Sequence, residues 1–428
     1  MSTETTTTAP APAGHVTALP PRAWRIPVLL AALSVVTIVA FGLFGEDRTV
    51  EFGWTSGAAA IDIAPTAASP RLLGWVLGAI AVVVSVIAFR FAAQRKAVPI
   101  WISLIVGIAF LVSLVAWVGA GGRVPVVFLL TGAIGLSTAI VFGALAGVIG
   151  ERVGIVNIAI EGQLLGGAFM AAVVASTTGS YLLAVIAAMV VGGLISMVLA
   201  AFSIKYLVDQ VVVGVVLIGL VTAITNFFYS AVLGPQSAQF NNPGTMPRIA
   251  IPLLSDIPVL GQVLFNQRPT TYLMFLLVPA VWFMLFKTRW GLRVRSLGEH
   301  PLAADTVGIK VNRTRFWTVT LAGLIAGLGG AALTVGGVGA FVREMSAGQG
   351  FIALAAVILG RWNPWFAALA ALLFGFASNF RIWAGQAGAT IPSDLIAMTP
   401  YVVTILAVAL VAGRVIGPRA AGKPYIKE

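Results

Sequence analysis

Long apolar runs recur along the whole 428-residue chain, and they constrain its fold more than any other feature. A helix needs about 20 apolar residues to cross a bilayer. The pattern predicts an all-α, polytopic membrane protein with about twelve transmembrane helices. Glycines or the flanking Pro364 indicate short, broken or re-entrant helices in three of these runs, 154–176, 347–360 and 364–381. The predicted spans are 26–45, 72–90, 98–119, 125–149, 154–176, 180–203, 210–233, 270–287, 316–338, 347–360, 364–381 and 397–413.

The composition agrees with a membrane protein and excludes several other classes. Hydrophobic residues make up 59% of the chain and charged residues 9%, with a mean hydropathy of +1.01. Soluble proteins carry about 25% charged residues. There is no cysteine, and His15 and His300 are the two histidines, which excludes disulfides, thiolate chemistry and any convincing zinc or haem site. The net charge of +12 is attributed to cytoplasmic loops rather than to nucleic-acid binding.

Basic residues are distributed unevenly between the two sides of the predicted topology. With twelve crossings and the N-terminus inside, nineteen of the 26 lysines and arginines fall in internal segments. The positive-inside rule therefore predicts that both termini are cytoplasmic. Residues 1–21, rich in Thr, Ala and Pro, are predicted to form a disordered tail without a cleaved signal peptide. The segments 46–70 and 234–269 are predicted to be external.

Motifs of soluble enzymes are missing from the sequence. It contains no G-x-x-x-x-G-K-[ST] phosphate loop, no G-x-S-x-G elbow and no H-E-x-x-H pair. We therefore expect no catalytic residue, no metal site and no bond chemistry in this chain. The runs Gly327–Gly330 and Gly336–Gly339 lie in apolar stretches, where small residues let helices approach closely.

The most informative polar residues inside a predicted span lie near its start. Glu161 is ten residues beyond Glu151, so a helix would carry it about 15 Å into the membrane. A carboxylate there costs about 2.5–3.5 kcal/mol and needs a wet cavity or a partner. Asn157 and Glu161 are predicted to share one helix face, with Gln163 pointing elsewhere. Two hypotheses stay open: a polar substrate path, or bonding of Glu161 to backbone groups at a helix break within 162–167.

Three further amides, Asn226, Gln349 and Asn379, lie within or beside predicted spans. Together with Asn157, Glu161 and Gln163 they are the candidate substrate-path residues. For these three amides, hydrogen bonding between helices is the alternative interpretation.

The most basic predicted loop, 287–315, contains the signal of a short helix. Pro301 suits a first helical position and Gly308 suits the residue after a helix end, which predicts a two-turn helix at 301–307. The helix is too short to cross the membrane, so its apolar face is available to a soluble partner. An interfacial helix on lipid headgroups is the alternative. The predicted apolar face consists of Leu302, Ala303, Thr306 and Val307.

Three ordered motifs resemble the permease subunits of nucleoside and simple-sugar ABC importers. This binding-protein-dependent family also includes ribose and branched-chain amino-acid permeases. The resemblance covers about residues 125–415 and is strongest to the nucleoside-type branch, in which two different permeases pair. The motifs are ERVGIVNIAIEG at 151–162, KTRWGLRVRSLGEHPLAAD at 287–305, and SAGQGFIAL leading to GRWNP within 346–364.

The resemblance implies a transport subunit of the bacterial cytoplasmic membrane, which moves a nucleoside or related sugar inward by alternating access. Its implied partners are a cytoplasmic ABC ATPase that binds ATP and Mg²⁺, a second permease of a different kind, an external substrate-binding lipoprotein and membrane lipids. Nucleic acid is not among them. His300 stands where the family commonly has Asn, a better helix cap. The residues implied to couple to the ATPase are Glu299, His300, Pro301, Leu302, Ala303, Ala304 and Asp305.

The chain is accordingly divided into four predicted regions. A tail at 1–21 precedes an extra membrane region at 22–120 with about three spans. A permease core of about nine spans follows at 121–415, with the coupling loop 287–315, and a C-terminal cytoplasmic tail at 416–428. The alternative function is a proton-coupled secondary transporter with Glu161 as proton carrier, which a docking loop at 287–315 disfavours.

Overall fold

The computed structural model of the chain describes residues 24–45, 47–55, 62–387, 398 and 417–427. Within these residues, ten helices are long and apolar enough to cross a membrane. They are α1 (Arg25–Leu43), α2 (Pro70–Ala93), α3 (Ile100–Val118), α4 (Val126–Arg152), α5 (Ile160–Thr178), α6 (Tyr181–Lys205), α7 (Gln210–Leu233), α10 (Pro269–Lys287), α13 (Val311–Val338) and α15 (Pro364–Gln386). Four of them end in π-helical turns, at Thr37–Leu43, Ala201–Lys205, Tyr229–Leu233 and Thr334–Val338.

Shorter elements connect these helices. The short helices are α8 (Ser237–Phe240), α9 (Leu260–Leu264), α11 (Arg289–Glu299), α12 (Pro301–Thr306) and α14 (Gln349–Leu359). The strands are β1 (Val50–Gly53), β2 (Thr66–Ala68), β3 (Arg123–Pro125), β4 (Ile249–Ala250) and β5 (Asn266–Gln267). Strand β1 pairs antiparallel with β2 and parallel with β3, while β4 pairs antiparallel with β5. The sequence analysis predicted none of these strands.

The prediction of an all-α polytopic membrane protein is confirmed, with corrections to individual spans. The run 347–360 forms only the eleven-residue helix α14, which is about 16 Å long and crosses about half of a 30 Å hydrocarbon core. The run 154–176 becomes helical only at Ile160, because residues 153–159 form turns and irregular backbone. The predicted span 397–413 lies outside the described residues, apart from Met398.

One compact unit consists of α1, α2 and the part of α3 up to Leu114. The hydroxyls of Ser34 and Ser85 lie 3.0 Å apart and join α1 to α2. The rings of Phe41 and Phe110 lie 5.6 Å apart and join α1 to α3. All three helices are apolar on most of their surface, as expected for helices that contact lipid.

The second unit comprises residues 47–69 and the chain from Val115 onward. Its centre is a seam of glycines where α13 meets α5 and α6. A Cβ atom on Gly192 would lie 2.7 Å from the backbone nitrogen of Gly327, and one on Gly330 would lie 2.6 Å from the carbonyl carbon of Gly167. The packing interpretation of Gly327–Gly330 is therefore confirmed, since only glycine permits this approach of the backbones.

Candidate functional site

A buried amide network lies at the start of α5. Asn157, Gln163 and Ser196 are each fully buried. The side chain of Asn157 donates to Gln163 Oε1 at 3.1 Å, and Gln163 Nε2 donates to Asn157 Oδ1 at 3.3 Å and to Ser196 Oγ at 2.8 Å. The predicted helix face shared by Asn157 and Glu161 is wrong, because Asn157 precedes α5 and pairs with Gln163.

Glu161 caps the N-terminus of α14, the helix that crosses about half of the hydrocarbon core. Its Oε1 accepts a hydrogen bond from the backbone N–H of Gly348 at 2.8 Å, and its Oε2 accepts one from Gly350 at 2.6 Å. The first N–H groups of a helix have no partner within the helix, and they carry partial positive charge. A carboxylate with 7% exposure is therefore stabilised here. Of the two open hypotheses, the bonding of Glu161 to backbone groups is favoured, at the start of α14 rather than within 162–167.

The other three candidate amides have different surroundings. Asn379 Nδ2 donates to the carbonyl oxygens of Phe128 and Leu129 at 3.2 and 2.9 Å, which joins α15 to α4. Asn226 Nδ2 donates to Glu344 Oε1 at 3.3 Å. Asn226 Oδ1 and Gln349 Oε1 are buried and have no hydrogen-bond partner among the residues that the structure describes. The six predicted residues therefore do not form one hydrogen-bonded cluster.

Aromatic side chains that were not singled out from the sequence cluster around Phe341. The rings of Phe169 and Phe341 are 5.3 Å apart and edge-on, and the rings of Tyr229 and Phe341 are 6.1 Å apart. The guanidinium of Arg343 lies 5.1 Å from the centre of the Tyr229 ring. These residues come from α5, α7 and the segment before α14, so no local pattern in the sequence predicts that they meet.

The loop 287–315 contains two helices where the sequence analysis predicted one. Helix α11 begins after Thr288, whose hydroxyl accepts from the N–H of Gly291 at 3.1 Å, and it buries Gly291, Val294, Leu297 and Gly298. This spacing is typical of one helix face, so the signal was present in the sequence. A Cβ atom on Gly298 would overlap the carbonyl oxygen of Arg152, so α11 lies directly against the end of α4.

Helix α12 follows as predicted, with Pro301 in its first turn and Gly308 at φ +84° just beyond its end. His300 is the residue before the helix and makes no side-chain capping bond, as expected for a replacement of Asn. The exposed fractions of Leu302 and Val307 are 54% and 75%, and Ala303 and Thr306 are also exposed. Ala304 is only 3% exposed and packs in the core of the unit, so it does not belong to the available face.

The C-terminal residues 417–427 hold this pair of helices in place. The N–H of Ala420 donates to the carbonyl of Gly298 at 2.8 Å, and Lys427 Nζ lies 3.6 Å from Asp305 Oδ2. Arg315, 1% exposed, donates to the carbonyls of Leu297 and Lys423, both at 3.4 Å. From the sequence, this segment was predicted to be part of a tail and Arg315 to be a cation of a loop. Contacts between residues about 100 positions apart leave no local pattern in the sequence.

Comparison with known proteins identifies the family. The family described as branched-chain amino acid transport system, permease component, matches residues 129–412. The nucleoside ABC transporter permease protein NupC of Lactococcus lactis is 39% identical over 301 residues, which are 68% of this chain and 94% of that protein. The guanosine ABC transporter permease protein NupQ of Bacillus subtilis is 40% identical over 298 residues, 67% of this chain and 93% of that protein.

A more distant relative is the putative glucose ABC transporter permease protein TsgC13 of Haloferax volcanii. It is 34% identical over 258 residues, 59% of this chain and 77% of that protein. No solved structure matches the chain. The ten long apolar helices agree with these relatives, and the resemblance identified from the three motifs is confirmed. The chain belongs to the permease-component family of branched-chain amino acid transport systems, and it is a multi-pass ABC transporter permease of the cytoplasmic membrane.

Proposed function

We propose that this permease is the membrane subunit of an ATP-driven importer, which carries a nucleoside or a related simple sugar inward by alternating access. The names of its relatives, which specify nucleoside, guanosine and glucose transport, support this solute class. The observation that carries the proposal is helix α12, a short helix with exposed apolar residues that is fixed to the membrane core. Such a helix fits the docking groove of a soluble ATPase.

The contacts of α12 provide a direct route from a docked ATPase to the spans. Helix α12 follows α11 with only His300 between them. Helix α11 lies against the end of α4 at Gly298, and the carbonyl of its Leu297 accepts a hydrogen bond from Arg315 near the start of α13. A displacement of α12 is therefore passed to α4 and α13 through packed backbone rather than through a flexible loop.

The remaining partners belong to the same proposal. The ATPase binds ATP and Mg²⁺, and this chain supplies no catalytic residue for hydrolysis. A second, different permease subunit completes the pathway, and an external lipoprotein delivers the solute. The loop 287–315 and both chain ends lie on the cytoplasmic side, as the distribution of basic residues predicts.

Asn226 and Gln349 are the candidate contacts for the solute. Each has a buried side-chain oxygen that no described residue satisfies, and a hydroxyl or amine of a nucleoside would satisfy such an acceptor. Asn226→Ala and Gln349→Ala are each expected to raise the solute concentration for half-maximal uptake about tenfold, since one hydrogen bond contributes about 1 kcal/mol and leaving the donor unpaired adds to the loss. Concentration-dependent uptake into proteoliposomes holding the complete transporter measures this.

Asn379→Ala is the matched control for these two variants. Its amide joins α15 to α4, so its loss is expected to lower the thermal unfolding midpoint and to leave the half-maximal concentration unchanged. An unchanged half-maximal concentration in both Asn226→Ala and Gln349→Ala would contradict the assignment.

Docking of the ATPase is tested by placing a charge on the exposed face of α12. Leu302→Asp and Val307→Asp are each expected to lower the affinity for the ATPase tenfold or more, because burial of an aliphatic side chain contributes about 1.5–3 kcal/mol. Uptake should be lost while the permease remains folded, since both side chains are exposed. Leu253→Asp is the control, because Leu253 is 84% exposed and lies in the 234–269 segment.

Two results would contradict the proposed function. The first is an unchanged ATPase affinity in Leu302→Asp and Val307→Asp. The second is uptake by this chain alone in liposomes with an imposed pH gradient and no ATPase, which would instead indicate proton-coupled transport.

A further inference from the structure

A groove of about 950 Å³ lies between α11, α12 and the beginning of α13. Ala303 of α12 and Val307, the residue directly after that helix, form part of one wall, so the groove adjoins the exposed apolar residues of this segment. Arg289 and Arg293 come from α11. Lys310 directly precedes α13, and Arg313 lies in its first turn. Sequence analysis noted the basic character of this loop but did not predict a groove within it.

Four cations line this groove. The side chains of Arg289, Arg293, Lys310 and Arg313 are all exposed. Within the part of the chain that the structure describes, none of them forms an ion pair or a side-chain hydrogen bond. Glu299 is the acidic residue of the lining. The groove therefore has an excess of positive charge that the described residues do not neutralise.

The groove opens away from the membrane spans. Helix α11 packs its buried face on the ends of two spans, where Gly298 lies against Arg152 of α4 and Gly291 lies against Leu285 of α10. Arg289, Arg293 and Ser296 are spaced four and three residues apart, so they share the opposite face of α11. Because this basic face of α11 points away from the spans, a soluble protein is favoured over lipid headgroups as the source of the negative charge that the groove binds.

We propose that the groove receives an acidic segment of the partner ATPase, beside the apolar contact made by α12. This inference rests on the proposed function, and it adds the chemistry of the partner surface. Facing patches of opposite charge steer two proteins into register and raise their association rate. The apolar face of α12 then supplies the affinity, and the groove supplies the rate and the choice of partner.

Charge reversal in the groove tests this inference. Arg293→Glu combined with Arg313→Glu is expected to lower the association rate of the ATPase about tenfold or more at low salt. The difference should disappear at about 0.5 M salt, where the Debye length falls to about 4 Å. The dissociation rate should change much less, because charges at the edge of an interface act mainly on association. The association and dissociation rates of the ATPase are measured on permease that is held in phosphatidylcholine nanodiscs and attached to a sensor surface.

The control variant combines Arg90→Glu with Lys96→Glu. Both residues are exposed cations on the same predicted side of the membrane, so the change in net charge is identical. This variant should keep the wild-type association rate within about twofold. An equal loss of association rate in both variants would contradict the proposed role of the groove, because the effect would then come from net charge alone.

Two further outcomes are distinguishable. In the first, the association rate is unchanged in Arg293→Glu/Arg313→Glu while Leu302→Asp abolishes binding. This result would contradict the proposed role of the groove and leave the proposed function intact. Binding unaffected by Leu302→Asp would remove the docking proposal itself. If the charge reversal alters only the stabilisation of the permease by phosphatidylglycerol, lipid headgroups occupy the groove and the inference is wrong.

Discussion

Replacing Gly327 with alanine is expected to destabilise this permease strongly, because α13 and α6 approach each other at backbone distance there. The added Cβ would overlap the carbonyl oxygen of Ala188 and would lie 2.8 Å from its carbonyl carbon and 2.9 Å from Met189 Cα. These are backbone atoms of α6, so no rotamer change can relieve the contact. Overpacking of a tight core costs about 1–3 kcal/mol and occasionally more, and here α13 must move away from α6.

The helix propensity of alanine acts in the opposite direction. Alanine in a helix interior is about 1 kcal/mol more favourable than glycine. Gly219→Ala in α7 is the matched control, because a Cβ atom there has nothing within 4 Å. We expect Gly219→Ala to keep or slightly raise the midpoint of thermal unfolding in detergent, and Gly327→Ala to lower it by several degrees. Equal midpoints for the two variants would show that α13 and α6 do not pack as described.

Glu161→Gln is expected to destabilise the permease by about 2.5–6 kcal/mol. Two charged hydrogen bonds to Gly348 and Gly350 are replaced by one neutral bond, and the new NH₂ group faces a backbone donor. A lost charged bond costs about 1.5–3 kcal/mol, an unpaired buried N–H costs about 1–3 kcal/mol, and the negative charge at the start of α14 is also removed. Thermal unfolding in detergent measures the loss.

Glu344→Gln is the control for this substitution. Glu344 is exposed, and its bond to the Asn226 amide can be kept by the glutamine oxygen, so we expect a change within about 0.5 kcal/mol. A proton carrier at position 161 would behave differently. In that case Glu161→Gln would abolish uptake without lowering the unfolding midpoint, and the backbone-capping role would be wrong.

The successes of sequence analysis concern features set by neighbouring residues. Hydropathy over about 20 residues located nine of the ten long helices to within five residues at each end, and the start of the tenth, α5, was placed six residues early. Pro301 and Gly308 located α12 because both act on their own backbone angles. The motif at 287–305 identified the family for the same reason, since it is contiguous in the sequence.

The failures concern contacts between distant residues. Asn157 was placed on a helix because hydropathy continues through 153–159, whereas Gly154 at φ +95° and its neighbours leave the helical conformation. Ala304 was among the residues implied to couple to the ATPase, but it is buried, because the side of α12 that packs on the core depends on α11 and α13. The role of residues 417–427 could not be predicted from a short polar segment at the chain end.

The amino-acid sequence alone determined that this chain resides in a membrane, where most of its helices lie and that a short helix follows Glu299. These properties depend on transfer of apolar side chains from water and on backbone angles of single residues, both of which are local. Only the tertiary structure decided that Glu161 binds Gly350, 189 residues away, and that four cations meet beside α12. Such contacts arise when helices pack at backbone distance, and the side chains that meet there depend on every helix in the bundle.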